Sequence, residues 1–226
     1  MNRVLVALIG VAIYSSVSAE TRYGFVQVER LEYRDDSNNT LWDVQTGYGG
    51  DYHAFRLKTE GELDGGAAER AELQLLYNRA WTAYFDLQFG IRLADFDDSD
   101  VAAAVAGIQG MAPYRVEMEA TAFLSDDGDL SFRGEFERDF LLNEQLILQP
   151  RAEINVAFQD VPEIRVGSGL TELAIGLRLR YEFSRRFAPY LGAEWQRSFG
   201  DTADIIRALG QDTSDTTLIA GVRFWF

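Results

Sequence analysis

The sequence predicts an all-β chain folded as a transmembrane antiparallel up-and-down β-barrel of about 12 strands, with 10 to 14 as the expected range. Three observations predict it. Period-two alternation of apolar and charged residues recurs over segments of mostly nine to fourteen residues. Strands of soluble proteins are typically about five or six residues long, whereas a tilted strand needs roughly nine to eleven to cross a bilayer. The connections between segments alternate between acidic stretches and shorter ones poorer in acid, matching long outer loops and short periplasmic turns. The last segment ends on an aromatic carboxyl terminus, Phe226.

The first nineteen residues follow a different pattern: Arg3, an apolar run from Val4 to Tyr14, then small residues up to Val17-Ser18-Ala19. That is the pattern of a cleaved secretory signal peptide, and the run is shorter than the roughly 20 residues of a membrane helix. The expected domains are residues 1–19 as signal and 20–226 as one barrel. Absence of cysteine means that no disulfide staples the fold, and a closed hydrogen-bonded barrel needs none. A formal charge of −15, one unit more negative once Arg3 leaves, argues against nucleic acid as a partner and makes cations the natural ones. Twenty glycines against four prolines, with 13% aromatic residues, suit strands joined by tight turns.

In chain order, the first segment, Tyr23 to Tyr33, alternates until a slip near Arg30 of the kind a bulge causes. The acidic run Asp35-Asp36-Ser37-Asn38-Asn39 ends it. Leu41 to Tyr48 follows and stops at Gly49-Gly50-Asp51. His53 to Glu62 carries Phe55 and Leu57 on one face and Arg56, Lys58 and Glu60 on the other. An acidic stretch from Glu62 to Glu69 leads into Glu69 to Ala80, which the turn Trp81-Thr82-Ala83 joins to Tyr84 to Ala94. Asp95-Phe96-Asp97-Asp98-Ser99-Asp100 precedes the alanine-rich segment Val101 to Gln109, the least patterned of the set. Gly110-Met111-Ala112-Pro113 turns into Arg115 to Leu124, and Asp126-Asp127-Gly128-Asp129 into Leu130 to Phe140. Leu141-Leu142-Asn143-Glu144 leads to Leu146 to Ala157, and residues 159–169 form the next acidic loop.

Leu170 to Phe183 is the cleanest strand. Leu173, Ile175, Leu177, Leu179, Tyr181 and Phe183 interleave with Glu172, Arg178, Arg180 and Glu182. Ser184-Arg185-Arg186 turns into Tyr190 to Phe199, residues 200–215 form the last acidic loop, and Thr216 to Phe226 closes the chain. An even strand count puts both termini on the periplasmic side and every acidic loop outside. Aromatic residues such as Trp42, Tyr48, Trp81, Tyr84, Phe183, Phe187 and Trp225 gather near segment ends, as girdles contacting outer-membrane lipid do.

The charged strand faces turn inward, and the default state of so many mixed charges in a narrow lumen is an ion-pair network that fills and rigidifies the barrel. Glu117, Glu119, Glu135 and Glu137 are the lumen candidates for a metal site, and Asp126, Asp127 and Asp129 the loop candidates, because clustered carboxylates are hard oxygen donors. The aspartate run reads equally as a hairpin turn. Arg115 is expected on the same lumen face. His53 is expected at the periplasmic rim facing lipid. A barrel hydrolase would need a histidine paired with serine or acids at the outer side, so an enzyme is not expected. There is no phosphate loop, zinc spacing or nucleophile elbow.

Several stretches resemble the barrel domain of the copper resistance protein B family. They include Gly47-Tyr48-Gly49-Gly50-Asp51-Tyr52, Leu57-Lys58-Thr59-Glu60-Gly61-Glu62, Phe85-Asp86-Leu87-Gln88-Phe89-Gly90 and Gly110-Met111-Ala112-Pro113-Tyr114. Leu146-Ile147-Leu148-Gln149-Pro150-Arg151, Phe187-Ala188-Pro189-Tyr190, Phe199-Gly200-Asp201-Thr202-Ala203-Asp204 and Gly221-Val222-Arg223-Phe224-Trp225-Phe226 continue the match to the last residue. The resemblance implies an outer-membrane location, a part in copper tolerance, copper ion as cargo and a periplasmic copper-handling protein as partner. Members of the family commonly carry a Met- and His-rich segment ahead of the barrel, whereas here Glu20-Thr21-Arg22 passes straight into the first strand. The expected soft donors are therefore Met111 in a turn, Met118 on a lipid face and His53, too few and too scattered for a Cu(I) site. A barrel with no direct copper binding, either structural or a small-solute or ion channel, is the alternative expectation.

Overall fold

The computed structural model describes residues 21–35, 39–64, 67–96 and 99–226. The signal peptide expected over residues 1–19 lies outside the described residues. Thirteen strand segments follow one another: β1 (Tyr23–Arg34), β2 (Thr40–Gly49), β3 (His53–Asp64), β4 (Ala67–Ala80), β5 (Phe85–Phe96), β6 (Ser99–Ala112), β7 (Val116–Ser125), β8 (Leu130–Glu137), β9 (Phe140–Leu141), β10 (Leu146–Ala157), β11 (Gly169–Tyr181), β12 (Phe187–Ser198) and β13 (Ser214–Trp225). β8 and β9 both pair with β10 and make one stave broken at Arg138-Asp139. Each stave pairs antiparallel with its neighbour in sequence, and β13 returns to β1, giving a closed barrel of 12 strands. Closure removes the sheet edges, as a bilayer requires of any β structure crossing it.

Burial is inverted relative to a soluble protein. On β11, Leu177 and Leu179 are 48% and 43% exposed while Arg178 between them is 3% exposed. The apolar face has no second sheet to cover it and belongs to lipid; the charged face is the interior. Phe55, Leu75, Ile91, Leu93, Leu191 and Leu218 continue the outer apolar band on other strands.

The short turns are held by side chains that stand in for backbone. Thr82 Oγ1 accepts the N–H groups of Tyr84 and Phe85, and Asn143 Oδ1 those of Gln145 and Leu146. The two longest connections, β10–β11 and β12–β13, lie at the opposite end, where β3–β4 and β5–β6 are by contrast short because the strands run into the expected acidic stretches. The last connection holds a helix, α1 (Gly200–Ala208), inside the stretch expected to be only an acidic loop. Two further differences from the expected pattern have local causes. The alanine-rich segment is a full strand of 14 residues, because its two neighbours impose the ladder that its own sequence does not advertise. Arg115, expected on the lumen face of a strand, is exposed in a turn: Pro113 starts a tight 3-10 turn, Tyr114 and Arg115 take φ of 66° and 59°, and β7 begins one residue later.

β1 contains the bulge. Its pairing steps from Val28 opposite Phe224 to Leu31 opposite Val222, and from Val28 opposite Val44 to Arg30 opposite Asp43. One extra residue therefore fits on β1, and the alternation changes phase there.

Candidate functional site in the barrel lumen

Period-two alternation sends one face of every stave inward, so the lumen is lined by charges from all around the wall. They pair in three groups. At mid-height Arg133 of β8 reaches Glu60 of β3 at 2.5 Å and Glu72 of β4 at 3.2 Å, and the guanidinium of Arg92 stands 3.8 Å from Glu72. The ring of Phe123 lies under both arginines, 4.3 Å from the Arg92 guanidinium carbon and 5.6 Å from that of Arg133. Phe123 also packs with Leu76, Ala103 and Val105, an apolar cluster facing inward.

The second group clamps the seam where the barrel closes. Arg178 of β11 donates to both oxygens of Glu32 on β1, at 2.7 and 3.3 Å, and to Glu194 of β12 at 3.0 Å. Tyr190 donates its hydroxyl to Glu32 at 3.0 Å, and Arg34 pairs with Glu194 at 2.5 Å. Gly221 on β13, opposite Glu32, makes this possible, because a Cβ there would sit inside the Tyr190 ring.

The third group surrounds a vestibule of about 640 Å³ near the turn end of the barrel. Lys58 pairs with Glu119 at 2.5 Å, Arg223 with Glu29 at 2.7 Å and Arg180 with Asp139 at 2.6 Å. Arg151 serves Glu135, Glu137 and Glu153 at 2.7, 3.0 and 2.8 Å. At the loop end a second chamber of about 500 Å³ lies beneath α1 and the β10–β11 connection. Phe123 and Arg133 line both spaces and form the partition between them.

The four candidate glutamates do come together. Glu117 stands directly opposite Glu137, and Glu119 opposite Glu135, across the β7–β8 ladder. Like charges so placed repel unless countered. Lys58 and Arg151 counter three of them, while among the described residues no arginine or lysine forms an ion pair with Glu117, which is exposed to the vestibule. Asp126, Asp127 and Asp129 lie elsewhere, in the β7–β8 hairpin at the loop end. There Asp129 donates its N–H to Ser125 Oγ and accepts from Gln159 at 3.0 Å. Among the described residues no three His, Asp or Glu side chains are grouped so as to hold a metal ion on their own.

The other singled-out residues divide. His53 is on the outer face with Phe55, its Nδ1 2.5 Å from the Tyr77 hydroxyl and its ring stacked on that of Tyr77. Met118 stands opposite Phe136, on the face that alternates with the glutamates. Met111 is not in a turn: it belongs to β6, pairs with Glu117 and lines the vestibule. The sequence pattern missed Arg30 and Glu32, because the bulge hides the phase in which β1 contributes to the lumen, and Asp43 on the short β2, which faces inward opposite Arg30. A phase change at the slip near Arg30 was the signal that would have found the first two.

Among solved structures, the NanC porin superposes with a TM-score of 0.58 at 11% identity, covering 88% of this chain and 98% of that one. The KdgM porin gives 0.52 at 12% identity, covering 89% and 99%. At that identity they share the outer-membrane porin-like fold alone. Closer in sequence are Copper resistance protein B of Escherichia coli, 41% identical over 89% of this chain and 69% of its own, and the Copper resistance protein B homolog of Pseudomonas syringae pv. tomato, 37% identical over 95% and 76%. The family profile described as Copper resistance protein B precursor (CopB) matches residues 22–226. From the first strand to the terminal Phe226, the chain belongs to the copper resistance protein B family.

Proposed function

We propose that this barrel contributes to copper resistance in the outer membrane without catalysing a reaction, by holding copper ions in the turn-end vestibule and exchanging them there. The observation that carries this reading is Glu117. Among the described residues it forms no ion pair, and it stands in a cavity of about 640 Å³, in register with Glu137 and one step from Glu119 and Glu135, which their cations hold in place. Carboxylate and water oxygens suit a hard or borderline divalent ion, and Met111 beside Glu117 adds one thioether. One thioether does not make a Cu(I) site, so a soft-ligand periplasmic copper-handling protein is the natural exchange partner at this mouth.

The partition at Phe123 and Arg133 favours a receptacle open at one end over a channel. Turns and termini on the periplasmic side would aim the vestibule at the periplasm and the acidic loops at the medium. The non-enzymatic reading is supported by His53, which is engaged by Tyr77 on the lipid face, away from the lumen carboxylates. A purely structural barrel is the second reading, favoured by how many lumen charges already neutralise one another.

Titration of the refolded barrel with Cu²⁺, followed by isothermal calorimetry, tests the leading reading. Glu117→Gln should weaken binding roughly tenfold, equivalent to about 1.4 kcal/mol, and Asp126→Asn should leave it unchanged. Saturable binding no tighter than about 1 mM, a binding free energy of only about 4 kcal/mol, would overturn direct copper handling. Normal copper survival of a deletion strain would overturn the copper role as a whole.

A further inference from the structure

The loop-end chamber has a roof of its own, and the construction of that roof is not required by closure of the barrel. α1 has nine residues, too few to be stable without support. It is joined to its flanking strands through Gly200 and Gly210, whose φ angles of +54° and +77° are conformations that glycine adopts at little cost. Only Thr202 and Ala203 of the helix are buried. Thr202 is bound to the β10–β11 connection: Gly167 donates its N–H to Thr202 Oγ1 at 2.9 Å, and the hydroxyl donates back to the Gly167 carbonyl at 3.3 Å. Beside it, the Ser168 hydroxyl reaches Asp201 at 3.5 Å. The two backbones lie so close that a Cβ on Gly167 would overlap Asp201 Cβ and Thr202 N.

Below the contact, Thr202 and Ile206 of α1 and Glu163 and Val166 of the connection line the chamber together, above Arg133 and Glu172. The floor is the Phe123–Arg133 partition, so the chamber is reached from the loop end. We propose that α1 is a hinged lid over this chamber, latched to the β10–β11 connection through Thr202 and Gly167. A few hydrogen bonds and two small buried side chains hold it, which places its opening among local motions that leave the barrel intact.

Because the chain has no cysteine, introduced thiols report alone. Ser131 of β8 lines the chamber and takes the reporter, Ser131→Cys. The pair Ser168→Cys and Asp201→Cys, whose native side chains already meet, locks the lid when oxidised. Labelling of the reporter by a polar maleimide in detergent-refolded protein is read by mass spectrometry of its peptide, so that the locking thiols do not interfere. The oxidised lock should slow reporter labelling at least about tenfold, and reduction should restore the rate. In the reporter background without the lock, Gly167→Ala should open the latch and speed labelling by a factor of roughly 5 to 30, the range that one or two lost weak contacts produce in a two-state ratio. Heat-modifiability of each variant confirms that the barrel is assembled. Equal labelling rates in locked, unlocked and Gly167→Ala barrels would overturn the lid.

Discussion

The seam clamp makes a quantitative prediction for Glu32. Replacing Glu32 by Gln keeps the side-chain shape and removes the charge. Glu32 is 1% exposed and is held by two donors of Arg178 and by the Tyr190 hydroxyl, at 2.7, 3.3 and 3.0 Å. Removing one partner of a buried ion pair costs about 3 to 5 kcal/mol, because the remaining charge is left without compensation. Arg178 would keep Glu194 at 3.0 Å, which puts the expected loss at the lower end, about 3 kcal/mol. Tyr190→Phe removes a single hydroxyl from the same carboxylate and should cost only about 1 kcal/mol. The double change Glu32→Leu with Arg178→Met should recover part of the loss, since Arg34 still pairs with Glu194 at 2.5 Å and no orphan charge remains at the seam. Urea unfolding of the refolded barrel in lipid vesicles, followed by tryptophan fluorescence, measures all three. A loss below about 1 kcal/mol for Glu32→Gln, or one no larger than that of Tyr190→Phe, would refute the idea that this clamp ties β1 to β11 and β12 across the last strand.

Deleting Phe226 should impair assembly, seen as loss of the heat-modifiable band, because its N–H and carbonyl both bond to Val26 across the closing seam at 2.8 and 3.1 Å. Normal assembly would show that those two bonds are dispensable. Cysteines placed at Ser99 and Ser214 should react with an impermeant maleimide on intact cells while one at Ser184 should not, and the reverse pattern would invert the barrel. Phe123→Ala should raise single-channel conductance in planar bilayers severalfold over a low native level, by removing the ring that fills the partition under Arg92 and Arg133. An unchanged conductance would mean that the arginine–glutamate pairs alone block the lumen.

Much of the barrel was legible in the chain because a half-buried strand writes its two environments in alternate residues. On β11 the period holds for the whole span, and both Arg178 and Arg180 lie where alternation puts them. The pattern assigns a residue to a face and leaves its partner undetermined. Glu32 and Arg178 are 146 residues apart, and only the stagger of strands around the wall brings them together. The four glutamates were recognisable as a lumen set, yet Glu117, the member without an ion pair among the described residues, emerges only once Lys58 and Arg151 are placed. Loops carry no such period: the acidic stretch after Phe199 concealed a helix, and Pro113 reset the start of β7 so that Arg115 falls outside the strand. Met111 was misplaced for the same reason, since β6 continues past the glycine that suggested a turn.

The bulge in β1 bears on how the circle closes. A strand with strict alternation can slide two residues along its neighbour and still present the same faces, so the last pairing event of a barrel has several nearly equivalent solutions. On β1 the extra residue sends two consecutive side chains, Glu29 and Arg30, into the lumen, where they meet Arg223 and Asp43 respectively. Sliding by two would carry both past their partners and take Glu32 away from Gly221, and with it from the Tyr190 hydroxyl and the Arg178 guanidinium that hold it. The irregularity acts as a key cut into an otherwise repeating edge, and a barrel bearing it can zip shut in one alignment only.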